Sequence, residues 1–494
     1  MKKLVILSSL LGLLFTTTSC RDEFLESEPT ETLANPPAQA KLYGLYLMMI
    51  NTGTGGTTGH DDFGQKGYDM VTDMLSSDMA LEASVYGWYR AVANLTGPAD
   101  FTNNVNYLPW RYYYRIAYAA NDVIAGLGGN TAVPSGADKA AMGQAKAMRA
   151  YAYFYLTQMY TTKYDPNAAA IPLYTTASVE AQPKAKQSEL YAQMVKDLTE
   201  AVDLLQGYGR PNKGVINQDV AKGLLAYVYA AMGENAKAAT LAQQIIAKVP
   251  MTTAEQTVYN TTTGSGGGFN DLNTSSWMWG FDITEANDLD LISWWGQMDI
   301  FSYSYAWAGD PKGIDLNLYN AIRPDDIRKN QFVTVNETAS GYEMVDANED
   351  GDFPAVPANK FFAPDRVIGG QRIITTDYLF MRSDEFYLLA AETLAKSGNE
   401  AQAKTVLKNF LSKRLGSTSY IDALSGQALR DEIYLQTRIE LWGEGKSYFA
   451  MKRNQASVKR GSNHVYLAGQ TFSYDDPRLS LKIPQQEINN NPKL

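Results

Sequence analysis

The chain has 494 residues and a formal net charge of −10 at pH 7, from 53 acidic and 43 basic side chains. An acidic protein repels phosphate backbones, which argues against a nucleic-acid partner. With 45% hydrophobic residues the chain can bury a large core, and its single cysteine excludes an internal disulfide. Beyond the N-terminus no stretch is apolar enough to span a bilayer.

The N-terminus is typical of a secretory signal peptide. Two lysines precede a run of twelve mostly apolar residues, 4–15, which is too short for a membrane span. The tetrapeptide TTSC at 17–20 resembles a bacterial lipobox. This resemblance implies a signal peptide of residues 1–19 and a lipid on the thiol of Cys20 that anchors the chain to a membrane. The acidic run at 22–28 resembles the export tags of surface lipoproteins in Bacteroidetes-type bacteria.

Amphipathic segments in the first half of the chain predict helices, because their apolar residues recur every three or four positions. These segments are 37–50, 107–127, 138–160 and 188–206. Residues 51–68 contain six glycines and predict a loop.

Segments 217–250 and 384–415 form an internal repeat. When the first is shifted by 165 positions, small residues coincide at five pairs of positions: Ala226 and Ala391, Ala230 and Ala395, Gly233 and Gly398, Ala236 and Ala401, Ala238 and Ala403. Small residues let two helices approach closely, and the glycine allows the turn between them. The pattern predicts two tetratricopeptide-like helical hairpins. The alternative is two unrelated alanine-rich hairpins.

The stretch between the repeats, 251–380, is rich in glycine, asparagine and aromatic residues. Five of the eight tryptophans fall within 31 residues of it: Trp277, Trp279, Trp294, Trp295 and Trp307. Indole rings suit the apolar C–H face of a pyranose, while polar side chains hydrogen-bond its hydroxyl groups. We therefore expect this cluster to include ligand-stacking residues, with core packing as the alternative for each. A second candidate patch is YGWYR, with Tyr86 and Trp88.

The segment DANEDG at 346–351 is the candidate metal site. Oxygen-bearing side chains at alternating positions, Asp346, Asn348 and Asp350, suit calcium. The glutamate expected at position twelve of such a loop is replaced by Pro357, so a plain acidic turn is the alternative. No other cofactor is expected.

A surface hydrolase is an alternative function for a chain with many acidic residues. A glycosidase needs two carboxylates at a fixed separation. The adjacent pairs Asp61-Asp62 and Asp325-Asp326 are more typical of solvated or capping side chains. Two histidines, His60 and His464, are too few for a histidine-based metal site. We therefore predict that the protein is not an enzyme.

The C-terminal part contains the most specific sequence motifs. The segment RIELWGEGKSYFAMKR at 438–453 resembles the signature of the SusD/RagB family, and IPQQEINNNPKL at 483–494 resembles its closing segment. MRSDEFYLLAAETLAKSG at 381–398 and MRAYAYFYLTQMY at 148–160 extend the resemblance. Lys446 and Ala450 stand where the family often has arginine and aspartate.

The resemblance implies an all-α fold in which tetratricopeptide-like units support a loop-rich ligand-binding half. Residues 20–494 would form one body, with helical units at about 138–250 and 384–453 and the aromatic insert at 251–380. Charged signature residues would be structural rather than catalytic: Arg438, Glu440 and Glu444.

The same resemblance implies a function. The protein would sit on the outer face of the outer membrane as a lid on a SusC-like TonB-dependent transporter. It would capture oligosaccharides or polysaccharides there and deliver them for import. Some relatives in this family serve peptide uptake, so a peptide-capturing lipoprotein is the alternative.

Overall fold

The structure, a computed structural model, describes residues 36–494. The predicted signal peptide at 1–19, the lipidation site Cys20 and the acidic run at 22–28 lie outside the described residues. Among the helices of the described part, none combines the length and apolarity that a membrane crossing requires.

Within residues 36–494 the chain forms 18 α-helices. They are α1 (Ala38–Leu47), α2 (Gln65–Leu75), α3 (Arg90–Ala93), α4 (Thr96–Ala99), α5 (Asn104–Gly126), α6 (Gly136–Tyr160), α7 (Gln187–Leu204), α8 (Gln218–Ala231), α9 (Asn235–Ile246), α10 (Ala254–Thr257), α11 (Trp295–Met298), α12 (Tyr305–Ala308), α13 (Leu316–Ala321), α14 (Asp384–Lys396), α15 (Glu400–Leu411), α16 (Gly426–Glu440), α17 (Ser447–Asn454) and α18 (Gln485–Asn490).

The strands of the described part are short. They are β1 (Met79–Leu81), β2 (Ala169–Pro172), β3 (Lys184–Lys186), β4 (Trp277–Phe281), β5 (Lys312–Ile314), β6 (Val333–Thr338), β7 (Gly341–Asp346), β8 (Phe353–Val356), β9 (Tyr378–Arg382), β10 (Val458–Lys459) and β11 (Thr471–Phe472). All pair antiparallel, as β1-β5, β2-β3, β4-β9, β10-β11 and the three-stranded sheet β7-β6-β8.

The prediction of a mostly helical fold is confirmed. Each of the four amphipathic segments in the first half forms a helix, now α1, α5, α6 and α7, with ends within a few residues of those predicted. The predicted loop at 51–68 is shorter than expected, because α2 begins at Gln65. That helix is buried on every side, including its charged residues Lys66, Asp69 and Asp73.

The two repeat segments form helical hairpins. Each turns at a glycine in the left-handed region, Gly233 with φ +79° and Gly398 with φ +83°. The small residues at the helix contacts, such as Ala226 and Ala391, are fully buried. Helix α9 of the first hairpin packs on α14 of the second, so the repeats are spatial neighbours despite the long insert between them.

These hairpins belong to a continuous layer of helices. In it α5 packs on α6, α6 on α7, α7 on α8, α8 on α9, α9 on α14, and α14 on both α15 and α16. Contacts between successive antiparallel helices of this kind are the packing mode of helical repeat proteins. This layer of packed helices is the base of the fold.

The signature segment closes this base with buried ion pairs. Its carboxylates bond cationic groups from four other segments: Glu440 accepts from Arg382 (2.7 Å), Arg414 (2.9 Å) and Arg328 (3.1 Å), and Glu444 accepts from Arg382 (2.8 Å) and Lys360 (2.9 Å). Burial alone would raise the pKa of Glu440, but the Arg414 and Arg382 guanidiniums hold that pKa well below its usual range. Arg438 likewise binds Asp78 at 2.6 Å. The prediction of a structural role for the signature charges is confirmed.

Candidate functional site

A group of aromatic rings, most of them partly exposed, lies where three loops meet. The rings come from the glycine-rich loop before α2, from the segment before α3, and from the start of α12. We call this group the aromatic platform, and its members are His60, Tyr86, Trp88, Tyr303, Tyr305 and Trp307.

Trp88 is supported from one side by a histidine. The rings of His60 and Trp88 are nearly parallel, with an interplanar angle of 2° and centroids 5.1 Å apart. Nδ1 of His60 and Oη of Tyr305 are 2.6 Å apart, a hydrogen-bond distance. Gln297 donates to the backbone carbonyl of His60 at 2.8 Å. Because the histidine covers one face of the half-buried indole and is itself fixed, Trp88 is held in one orientation.

Tyr86 is the most exposed ring of the platform, with 59% of its surface accessible. It meets the buried ring of Tyr305 edge-on, at 5.2 Å between centroids. Its backbone is held by the buried carboxylate of Asp310, which accepts hydrogen bonds from the amides of Val85, Tyr86 (2.9 Å) and Gly87 (3.1 Å). A turn closed by one buried carboxylate thus presents both Tyr86 and Trp88.

Trp307 lies on the short helix α12. The helix is capped by Ser304, whose hydroxyl accepts from the Trp307 amide at 3.0 Å. The backbone of Gly369 rests on the indole so closely that an added Cβ would be 2.8 Å from Cε2 of Trp307. Tyr303 lies 5.6 Å from Trp307, and the exposed guanidinium of Arg372 lies 4.3 Å above the Tyr303 ring.

The platform therefore offers several supported ring surfaces beside polar groups. Its partly exposed rings are each backed by another ring or by backbone, so they lose little conformational freedom when a flat, weakly polar ligand stacks on them. Beside it, burial raises the pKa of Asp61 to about 6, so this carboxyl is a hydrogen-bond donor as well as an acceptor in mildly acidic solution.

The family model described as "SusD family" matches residues 212–494, which is more than half of the chain. The chain belongs to the SusD family. A second family model, described as "Starch-binding associating with outer membrane", matches residues 25–229 of this SusD family protein.

Individual relatives are distant. A SusD-like protein P25 from Formosa agariphila is 25% identical over 155 residues, which is 30% of this chain and 28% of that relative. A SusD-like carbohydrate binding protein from Bacteroides vulgatus superposes with a TM-score of 0.75 at 23% identity, over 92% of this chain and 96% of that one. Surface glycan-binding protein A from Bacteroides thetaiotaomicron, solved in complex with laminarihexaose, superposes with a TM-score of 0.65 at 16% identity, over 92% and 97%.

Four of the predicted stacking residues are core residues, so the prediction that they stack on a ligand is wrong. Trp277, Trp279, Trp294 and Trp295 are only 1–2% exposed. Two of them lie in strand β4, which pairs with β9, and the other two begin the turn into α11. Three of them meet neighbouring rings, as Trp294 meets Phe361 at 4.7 Å, and the burial of all four leaves no face open to a ligand.

Of the remaining candidates, Tyr86 and Trp88 both contact Tyr305, which lies more than 200 positions further along the chain. Trp307 follows Tyr305 by two positions and contacts Tyr303. Sequence reasoning missed His60, Tyr303 and Tyr305. The signal for the two tyrosines was available in the alternating segment FSYSYAW, where aromatic residues occur at every second position.

The adjacent carboxylate pairs close turns. Asp62 is fully buried and accepts from the amides of Gly55 (2.7 Å) and Thr57 (2.9 Å). Asp326 binds the buried Arg328 at 2.6 Å, and Asp325 binds Arg323 on the surface. Neither pair therefore leaves two free carboxyl groups facing each other across a cleft.

In the candidate calcium loop the side chains bond one another and their neighbours. Asp346 accepts from the hydroxyl of Tyr319 (2.8 Å) and from the backbone and side-chain amides of Asn348 (both 2.9 Å). Within residues 36–494 no three His, Cys, Asp or Glu side chains are grouped to hold a metal ion. The binding of calcium by Asp346, Asn348 and Asp350 stays a prediction.

Proposed function

We propose that this protein is a non-catalytic surface lipoprotein that captures oligosaccharides on the aromatic platform. The observation that carries the proposal is a group of supported rings, of which Tyr86 is exposed and Trp88 and Trp307 are partly exposed. The apolar C–H faces of pyranose rings stack on such surfaces, and hydroxyl groups are left for the surrounding polar side chains. The solved complex of a structurally similar protein with laminarihexaose supports the same ligand class.

Capture rather than cleavage is favoured by the carboxylates. In the two adjacent pairs, Asp62 is bound to backbone amides, and Asp325 and Asp326 are bound to arginines. Near the platform, Asp310 has its oxygens occupied by three backbone amides. A retaining or inverting glycosidase needs two carboxyl groups on opposite sides of the scissile bond.

The place of action in this proposal is the outer face of the outer membrane. The lipobox-like motif at 17–20 and the family description "Starch-binding associating with outer membrane" support a lipid anchor at Cys20. The bound oligosaccharide would pass to a SusC-like TonB-dependent transporter. Co-purification of such a transporter with the wild-type protein from native membranes tests the partnership, and Cys20→Ala should release the protein from the membrane fraction.

Native affinity electrophoresis of the chain from residue 21 onward tests the ligand class. Gels containing plant, fungal or host polysaccharides should retard the protein for at least one polymer. Trp88→Ala and Trp307→Ala should each abolish that retardation, because each removes a stacking surface. Tyr43→Ala is the matched control, since Tyr43 is an exposed aromatic residue on α1, outside the platform.

Two results would overturn the proposal. Retardation by a neutral polysaccharide that survives both platform substitutions would place the glycan elsewhere. An absence of retardation in every gel, together with calorimetric binding of mixed oligopeptides that Trp88→Ala removes, would replace the glycan with a peptide as cargo.

A further inference from the structure

A second cleft, separate from the platform, runs along the outer face of α5. It has a volume of about 580 Å³ and is bounded by the residue after α1, by segment 174–179 and by helix α18. Nothing in the platform's function requires this cleft, yet its walls combine tyrosines with two arginines.

The floor of the cleft is a row of tyrosines on α5. Tyr107, Tyr114 and Tyr118 are spaced by seven and four residues, which places them on one helical face. At 1.5 Å rise per residue the row is about 16 Å long, enough for an extended chain of about three sugar rings. Tyr114 is fixed by a hydrogen bond to the Pro172 carbonyl (2.7 Å), and Tyr118 is 47% exposed.

Arginines flank this row on one side. Arg111 and Arg115 stand one helical turn apart and both donate to the carbonyl of Thr54, at 3.4 Å and 2.8 Å. In the described part of the chain no carboxylate lies within 4.0 Å of either guanidinium. Each guanidinium carries five N–H donors, so most donors remain for a ligand after the bond to Thr54.

The arginines are held in place by the glycine-rich loop. The backbone of Gly56 lies against the Arg111 guanidinium, since an added Cβ would be 2.5 Å from its Nη1. The same loop is closed by Asp62 through the amide of Gly55. Two guanidiniums held side by side without a paired carboxylate repel each other, and an anion placed between them relieves the repulsion.

One acidic side chain also lines the cleft. Glu487 on α18 accepts from Nε1 of Trp110 (3.3 Å) and from the side-chain amide of Asn491 (2.8 Å). Both of its oxygens are engaged, so this carboxylate acts as a clamp that holds α18 against α5. The charge presented along the tyrosine row comes from the arginines.

We infer that this cleft is a second binding site, and that it takes an acidic oligosaccharide bearing carboxylate or sulfate groups. The tyrosine rings would stack on the sugar rings, and Arg111 and Arg115 would bind the anionic substituent. This inference stands on the cleft and its arginines and does not depend on the platform.

Isothermal titration calorimetry with tetragalacturonate tests the inference, using the chain from residue 21 onward with Trp88→Ala to silence the platform. Binding should persist in that background. The double substitution Arg111→Gln and Arg115→Gln should weaken it at least about tenfold, the loss expected when charge-assisted hydrogen bonds are removed. Arg430→Gln is the matched control, because Arg430 is a partly exposed arginine on α16 that does not line the cleft.

Further variants and probes separate the outcomes. Tyr118→Ala, at an exposed position, should also weaken tetragalacturonate binding without unfolding the chain. A sulfated tetrasaccharide that binds in its place would assign the anion as a sulfate ester. Equal affinity for neutral maltotetraose, or for an octaglutamate peptide, would overturn the inference, as would tetragalacturonate affinity unchanged by the arginine substitutions.

Discussion

Two groups of tryptophans in this protein differ in burial: one lies in the core and the other at the surface. Trp277, Trp279, Trp294 and Trp295 of the insert are only 1–2% exposed and belong to the hydrophobic core. Trp88 stands on a loop and Trp307 on the short helix α12, and both are only partly covered, Trp88 by His60 and Trp307 by Gly369. The first group is dense in the sequence and the second is scattered.

The contrast teaches that local density of aromatic residues reports burial as readily as binding. In the insert, backbone pairing between β4 and β9 directs the side chains of Trp277 and Trp279 into the core. At the platform, the rings are supported from one side only, because turns closed by Asp310 and Ser304 present them at the surface. What matters for binding is support on one face and access on the other.

The largest expected effect separates these two groups. Trp294→Ala should lower the free energy of unfolding by about 3–5 kcal/mol, the usual cost of removing a large buried side chain. The ring contacts Trp295, Phe361 and the ammonium group of Lys66, and none of these neighbours can fill the space. Chemical denaturation followed by tryptophan fluorescence measures the change.

Trp88→Ala is the comparison. We expect it to lower the free energy of unfolding by less than Trp294→Ala does and to abolish retardation in glycan gels. A stable, folded Trp294→Ala that has lost glycan binding would reverse the assignment and restore the buried cluster as the binding site.

An intermediate effect tests the support of the platform rather than its rings. Asp310→Ala should cost about 1–3 kcal/mol of stability, because three backbone amides lose their acceptor. Glycan affinity should fall as well, since Tyr86 and Trp88 lose their fixed orientation. Asp310→Asn keeps one acceptor oxygen and should recover part of both losses. Wild-type glycan affinity in Asp310→Ala would show that the turn is not needed for presentation.

Much of the fold could be predicted because it depends on local patterns. Apolar residues at helical spacing gave correct positions for α5, α6 and α7, and the glycines at 233 and 398 marked the hairpin turns. The platform depends instead on contacts between distant segments. His60 meets Tyr305 across 245 positions, and Asp310 binds Tyr86 across 224. No periodicity in a single sequence encodes such contacts.

The smallest expected effect concerns the charge of Asp61 at the platform's edge. Burial raises the pKa of Asp61 to about 6, while an unfolded chain keeps it near 3.8. The folded state therefore binds the proton more tightly, and the wild type loses stability as the pH rises from about 4 to 6. Asp61→Asn has no such proton and should be stabilised relative to wild type at pH 7, by about 1–3 °C in Tm.

Thermal denaturation at pH 4.5 and pH 7 measures this difference, and Asp325→Asn serves as the matched control. Asp325 is exposed, and its hydrogen bond with Arg323 lowers its pKa, so its substitution should act in the opposite direction. The Asp61 carboxyl is partly buried next to a ligand surface, whereas Asp325 is solvated. Equal pH profiles for the two variants would show that Asp61 at the platform's edge is as solvated as Asp325 on the open surface.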